Sequence, residues 1–438
     1  MSKKQILRGT FILTLTGFIT RLMGFCFRIF LSRNFGEEAV GLYQLIFPVY
    51  ALCFSFTSAG IEIALSRMVS KYTALNKNKE AQEVLYTSLI LSIFISIITM
   101  LLLQKYHTKI ASDFLKNIES APLILLLSYV FPFASIHSCI VGYYLGLKST
   151  KVSALSQLIE QCFRIGSVLI FTVIAHLLSI NINISVAVVG LIIGEISSSF
   201  YCLRFINTNS FTRYHPVIKT KHFIYHLQEI LKTSIPLSAS RICLNFLQSI
   251  EAVCIPLKLQ LSGSTNEQAL SIYGVLTGIA LPCILFPSAI TNSISTMLLP
   301  TVSEIETLGN FASLRKIIYK TICYSVYLGS FCFILFQISG KFIGNFLFKS
   351  TMAGNFIITL SWICPFLYAN TTLISIINGI GRTKITFTIN ILSLTFRILS
   401  VFYLIPLYGI KGYLQGLLIS QTFVFISCVI FLYKKFRA

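Results

Sequence analysis

Acidic residues are nearly missing from this 438-residue sequence. Fourteen are present against 35 lysines and arginines, and only one of them, Asp113, is an aspartate. An enzyme built on an Asp-x-Asp metal site, the arrangement of common membrane glycosyltransferases, is therefore not expected. Charge of either sign is scarce: 11% of residues are charged while 55% are hydrophobic. That is less than half the charge usual in soluble domains, too little to cover a water-exposed surface of this size. No Cys-x-x-Cys occurs among the twelve cysteines, and nearly all lie in apolar runs, Cys26, Cys53, Cys139, Cys162 and Cys254 among them. They read as small buried apolar groups rather than as disulfides or metal ligands. A Gly-rich phosphate loop, a nucleophile elbow and a His-Glu-x-x-His are also lacking. No catalytic residue, metal site or cofactor is expected, and nucleotide-driven pumping is not indicated. His137 and His176 stand alone in the sequence.

What the sequence does contain is long apolar runs, each near the ~20 residues that one bilayer crossing takes. Twelve are expected, at 7–32, 41–66, 84–104, 121–147, 152–177, 183–206, 233–258, 268–299, 318–340, 354–379, 384–406 and 410–433. No run alternates with period two long enough for a barrel, so the fold class is an all-α integral membrane protein. The N-terminus is basic and then apolar, as in a signal peptide, but the first run holds Arg21 and Arg28 and reads as a retained helix.

With both termini placed in the cytoplasm, 22 of the 35 basic residues fall on the inner side and 8 on the outer, the rest lying within helices. This asymmetry sets the expected topology and accounts for most of the +21 net charge without nucleic acid.

The chain also repeats itself. At an offset of 233 residues, Ser128 meets Ser361, Pro132-Phe133 meets Pro365-Phe366, and Thr150-Lys151 meets Thr383-Lys384. Phe163-Arg164-Ile165 then meets Phe396-Arg397-Ile398. Six helices per half return the chain to the same side, so the halves form a parallel repeat, as in several secondary transporters. The expected domains are a six-helix bundle over 1–206, a basic cytoplasmic linker over 207–232 and a second bundle over 233–438, with a substrate cleft between the bundles.

Charges near the bilayer centre cost ~2.5–3.5 kcal/mol on insertion scales, so each needs a cavity or a partner. Arg21 and Arg28 are seven apart on one face, and Arg241, Asn245 and Gln248 form a stripe at i, i+4, i+7. Such faces suit a phosphate-bearing ligand, although Arg28 could instead snorkel to the interface. Glu160 and Arg164 have the spacing of a helix ion pair. Arg397 is the repeat mate of Arg164, but Ser393 stands where Glu160 would be, so Arg397 is expected to face the cavity or to pair across helices. Glu62, Glu195 and Glu251 are candidates for carrying a coupling proton or cation, against the plainer reading of hydrogen-bonded structural glutamates.

The segments Arg8-Gly-Thr-Phe-Ile-Leu to Arg28-Ile-Phe-Leu-Ser-Arg33, Gly41-Leu-Tyr-Gln-Leu-Ile-Phe-Pro48, Leu65-Ser-Arg-Met-Val69 and Ser156-Gln-Leu-Ile-Glu-Gln161 carry a family resemblance. So do Ser249-Ile-Glu-Ala252, Tyr273-Gly-Val-Leu-Thr-Gly278 and Phe286-Pro287. The chain resembles the multidrug/oligosaccharidyl-lipid/polysaccharide exporter superfamily, in the polysaccharide-transporter branch that includes sporulation proteins. The resemblance implies a MATE-like pair of bundles in a bacterial cell membrane and alternating access. It further implies export of a saccharide linked to a polyprenyl diphosphate such as undecaprenyl diphosphate, the peptidoglycan precursor of wall or spore cortex among the options. Membrane lipids and cell-wall synthesis enzymes are the implied partners. The chain departs from the family in length, where members often have fourteen helices, and at Glu62, where a proline is expected after Gly60-Ile61. Related lipid II flippases hold sodium on carboxylates in the second bundle, and no aspartate stands there in this sequence. The competing readings are a MATE-type cation-coupled drug antiporter, which would want an acidic cavity, and a membrane saccharide polymerase, which would want a large catalytic outer loop.

Overall fold

The computed structural model describes residues 3–209, 220–307 and 311–437, and every regular element among them is helical. The first eight helices are α1 (Lys3–Leu45), α2 (Phe47–Phe54), α3 (Gly60–Ala74), α4 (Asn78–Lys109), α5 (Ala121–Ser128), α6 (Val130–Gly146), α7 (Thr150–Leu177) and α8 (Ser185–Asn209). After them come α9 (Thr220–Leu261), α10 (Asn266–Gly274), α11 (Leu281–Leu285), α12 (Ser288–Thr307), α13 (Phe311–Phe342), α14 (Thr351–Ser361), α15 (Cys364–Gly379), α16 (Thr383–Tyr408) and α17 (Ile410–Arg437).

Nine helical segments among the described residues are long and apolar enough to cross a membrane, or eleven when two bent pairs are each counted as one span. One of the nine, Ile12–Ala74, has 63 residues. At 1.5 Å per residue this is about 95 Å of helix, far more than one ~30 Å hydrocarbon core needs. It bends at Gly36, whose φ of 83° and ψ of 170° suit only glycine. Its length leaves room for two arms, one on either side of this bend.

Each bent pair has an identifiable cause. Ile118–Ser128 meets Val130–Gly146 at 47°, and Thr351–Ser361 meets Cys364–Gly379 at 58°. Pro132 and Pro365 follow these breaks. Each lacks the N–H that would bond to the carbonyl four residues earlier, on Ser128 and Ser361, where the first helix of each pair ends. The breaks divide the single spans expected over 121–147 and 354–379. They also obey the 233-residue offset, as do the ends of α4 and α13, the wide π turns at Ile110–Phe114 and Ile343–Leu347, and the left-handed Lys116 and Lys349. Past α7 the register slips: α8 and α17 begin 225 residues apart.

Contacts divide the chain into two units, one of residues 1–24 and 45–249, the other of 25–44 and 250–438. These limits differ from the expected cuts at 206 and 233 because the two longest helices, α1 and α9, each contribute to both units. The linker expected over 207–232 is also shorter, since helix resumes at Thr220, and 210–219 lie outside the described residues. The start of α9 is docked in unit 1. His222 and His226 sit 3.1 and 3.2 Å from Glu83 Oε2, and Glu229 accepts from Tyr72 at 2.7 Å and from Lys71 at 3.1 Å.

In unit 1 the core gathers Leu65 and Val69 of α3, Leu85 of α4 and Ile140 of α6. In unit 2 it gathers Leu314 of α13, Leu373 and Ile376 of α15 and Cys428 of α17. Arg33 secures the wide turn of unit 2 by donating to the carbonyls of Phe346 and Leu347, which the π geometry leaves free.

Candidate functional site

In unit 1, helices α6, α7 and α8 bring three titratable side chains together. Glycine permits the approach: a Cβ on Gly194 of α8 would meet the Glu160 carbonyl at 2.8 Å, and one on Gly142 of α6 would meet that of Glu62 at 2.8 Å. His137 Nδ1 lies 3.1 Å from Glu195 Oε2 and 3.2 Å from Ser198 Oγ. Glu160 makes an ion pair with Arg164 one turn along α7. One donor atom from each of His137, Glu160 and Glu195 lies within 4.8 Å of the other two. The Glu195 and His137 side chains are 6% and 11% exposed, and His137 Nε2 is buried without a hydrogen-bond partner. Glu62 of α3 lies within electrostatic reach of both His137 and Arg241.

Glu160 has Arg164 as its partner, and Glu195 meets the His137 imidazole instead of a fixed cation. Titratable groups in a poorly hydrated place are costly unless a proton, a cation or a partner balances them. An imidazole and two carboxylates can take a proton or a cation. The sequence gives no sign of this meeting, because the three residues lie on three helices and His137 has no patterned neighbour.

Unit 2 builds the corresponding contact without charge. Asn370 of α15 stands 233 residues after His137, and its Nδ2 donates to Gln421 of α17 at 2.9 Å, both to the side-chain Oε1 and to the backbone carbonyl. The charge of unit 2 is elsewhere. Arg397 Nε donates to Glu251 Oε1 at 2.7 Å, and Tyr413 donates to the same oxygen at 2.8 Å. Arg397 therefore pairs across helices, from α16 to α9, and Glu251 is its counter-ion rather than an uncommitted carboxylate.

The remaining candidates separate. Arg21 and Arg241 are exposed, belong to unit 1 and donate to no carboxylate among the described residues. The placement expected for them, one on each bundle, is not what the contacts give, since the start of α9 is part of unit 1. Arg28 belongs to unit 2 and is half-buried, with one guanidinium nitrogen unpartnered. Asn245 bonds Ser55 Oγ at 2.5 Å and the Ala51 carbonyl at 3.2 Å, which ties α9 to α2. Gln248, one turn further on, is exposed.

Known proteins agree with this architecture. Residues 6–306 match the family model described as polysaccharide biosynthesis protein. The chain is similar to stage V sporulation protein B of Bacillus subtilis strain 168, at 30% identity over 307 residues, 69% of this chain and 59% of the relative. It thus spans less than two thirds of that relative's length. Among solved structures it is similar to lipid II flippase MurJ in an inward closed conformation, with a TM-score of 0.75 and 15% identity over 97% of this chain and 87% of that one. It is also similar to an inward-facing multidrug resistance MATE family transporter of the MOP superfamily, with a TM-score of 0.74 and 16% identity over 95% of this chain and 94% of that one. At these identities the two structures speak to the fold alone. The family model covers more than half of the sequence, and the chain belongs to the polysaccharide biosynthesis protein family.

Proposed function

We propose that this multi-pass membrane protein is a flippase that carries a saccharide linked to a polyprenyl diphosphate from the cytoplasmic to the outer leaflet by alternating access, with both termini cytoplasmic. The observation that supports this most is Arg21 and Arg241, exposed on membrane-spanning helices of one unit; neither is hydrogen-bonded to a carboxylate among the described residues, and Arg241 has Glu62 within electrostatic reach. An arginine at such depth is costly unless an anion meets it, and a diphosphate offers the bidentate acceptors that guanidinium favours. The diphosphate is common to lipid-linked saccharides whatever sugar they carry.

The buried cluster of unit 1 couples the cycle. Its counterpart in unit 2 holds two helices together with neutral amides, so packing alone does not require His137 and Glu195 to be titratable. Taking up a proton or cation there would change the charge of the cluster and shift the balance between conformations. Two carboxylates beside an imidazole also favour a second reading, a cationic-drug antiporter, but the cluster is buried while the exposed arginines would repel a cation.

Binding to purified protein tests the proposal. A polyprenyl-diphosphate sugar should bind more tightly than its dephosphorylated lipid. Arg21→Ala and Arg241→Ala should each cost about 1.5–3 kcal/mol, the range for a hydrogen bond to a charged group. Lysine at either position should recover part of the loss. Equal binding of the two lipids by the wild type would overturn the reading, and tight binding of a cationic drug in its place would favour the antiporter.

A further inference from the structure

A groove of about 470 Å³ opens at one end of unit 2, between the first turns of α13 and the last turns of α17. It is lined by Arg315, Tyr319 and Tyr433 together with Ile318, Ile322, Val429 and Leu432. The lining is ordered along the helices. Arg315 and Tyr433 lie nearest the helix ends, Tyr319 and Leu432 follow, and Ile322 and Val429 are deepest. From Arg315 to Ile322 is two helical turns, about 10 Å. The groove therefore runs from cationic through phenolic to aliphatic over that distance. Ile318 and Leu432 belong to the core of unit 2, so the floor is fixed, while Tyr319 and Tyr433 are 71% and 58% exposed at its mouth.

Among the described side chains, the charge around the groove is mostly positive. Lys316, Lys320 and Lys434 flank the groove, and among the described side chains the only carboxylate bonded at this end is Glu306, held by Lys435. Arg315 is exposed and bonds no carboxylate among the described residues. A cation at the mouth, phenols at interfacial depth and an apolar floor match an amphiphile with a negatively charged head.

We propose that this groove is a binding site for an anionic phospholipid of the bilayer. Its phosphate would meet Arg315 between the two tyrosines, and the start of an acyl chain would lie over Ile322 and Val429. The inference is independent of the transported substrate, since it needs only that the helices stand in a bilayer.

Native mass spectrometry of the full chain, titrated with phosphatidylglycerol or phosphatidylcholine in detergent micelles, tests it. The wild type should retain one phosphatidylglycerol with at least about tenfold preference over phosphatidylcholine, the scale of a hydrogen bond to a charged group. Arg315→Ala should abolish that preference, and Arg315→Lys should keep part of it. Lys316→Ala, on the same turn but outside the lining, should reduce it far less than Arg315→Ala. Val429→Trp, which fills the apolar end, should weaken retention of phosphatidylglycerol with Arg315 intact. Inorganic phosphate should not compete, because it cannot occupy the apolar floor. The proposal is overturned if the wild type holds both lipids equally or if Arg315→Ala keeps the preference. Loss of preference in Lys316→Ala to the same degree would also overturn it, since diffuse surface charge would then account for the binding.

Discussion

Arg164 and Arg397 occupy the same position of the repeat and satisfy their charge differently. Arg164 finds Glu160 on its own helix, and that pair is readable from the i, i+4 spacing alone. Arg397 finds Glu251, 146 residues earlier in the chain, and Tyr413 completes the arrangement. No local pattern announces that contact, and only the missing acidic residue at Ser393 hints that a partner must come from elsewhere. Glu251→Ala should leave the half-buried Arg397 without its carboxylate, at a cost below the ~3–5 kcal/mol of a fully buried pair because Tyr413 remains beside it. Thermal unfolding of purified protein should show a clear loss for Glu251→Ala and a smaller one for Glu251→Gln, which can still accept from Arg397. Unchanged unfolding in both would mean the pair contributes nothing to the fold.

His137 carried a signal that its sequence surroundings conceal. Its repeat mate is Asn370, so both halves place a polar group at the same helical position, and it meets a polar residue on α8 in one half and on α17 in the other. The amide version in unit 2 shows that the contact can be neutral. Glu195→Gln should therefore fold and still accept from His137, yet lose the carboxylate. If the cluster couples the cycle, transport by the wild type should depend on a proton or sodium gradient and transport by this variant should not. A variant that transports with the wild-type gradient dependence would remove Glu195 from coupling.

At the scale of elements, helix existence was readable from apolar runs because each bilayer crossing demands one. Helix shape was less so. The segments 121–147 and 354–379 read as single helices, yet each breaks where proline removes a bond to Ser128 or Ser361. The same residues were visible as repeat matches, so the bend was present in the sequence as chemistry but not as periodicity. Pro365→Ala restores an N–H four residues after the Ser361 carbonyl, and the 58° bend should decrease. Distances between spin labels at 353 and 377 should then lengthen relative to the wild type. An unchanged distance would assign the bend to packing around α14 and α15 rather than to the proline.

At the scale of the molecule, composition and loop charge gave the class and an orientation, while the division into units was not readable. Sequence halves break where the loop is polar, but contacts follow the long helices α1 and α9, whose early and late turns serve different units. The orientation rests on the 22 to 8 distribution of basic residues. A single cysteine at position 219 in a Cys-free background should stay unlabelled by an impermeant reagent in intact cells and be labelled after lysis. Labelling in intact cells would invert the topology, and with it the direction of export.

The most direct measurement is translocation itself. Purified protein in liposomes should move a fluorescent polyprenyl-diphosphate saccharide between leaflets well above the protein-free rate, and the Arg21→Ala, Arg241→Ala double variant, reconstituted to the same level, should fall back towards that rate. A wild type no faster than empty liposomes, or a double variant as fast as the wild type, would contradict the account.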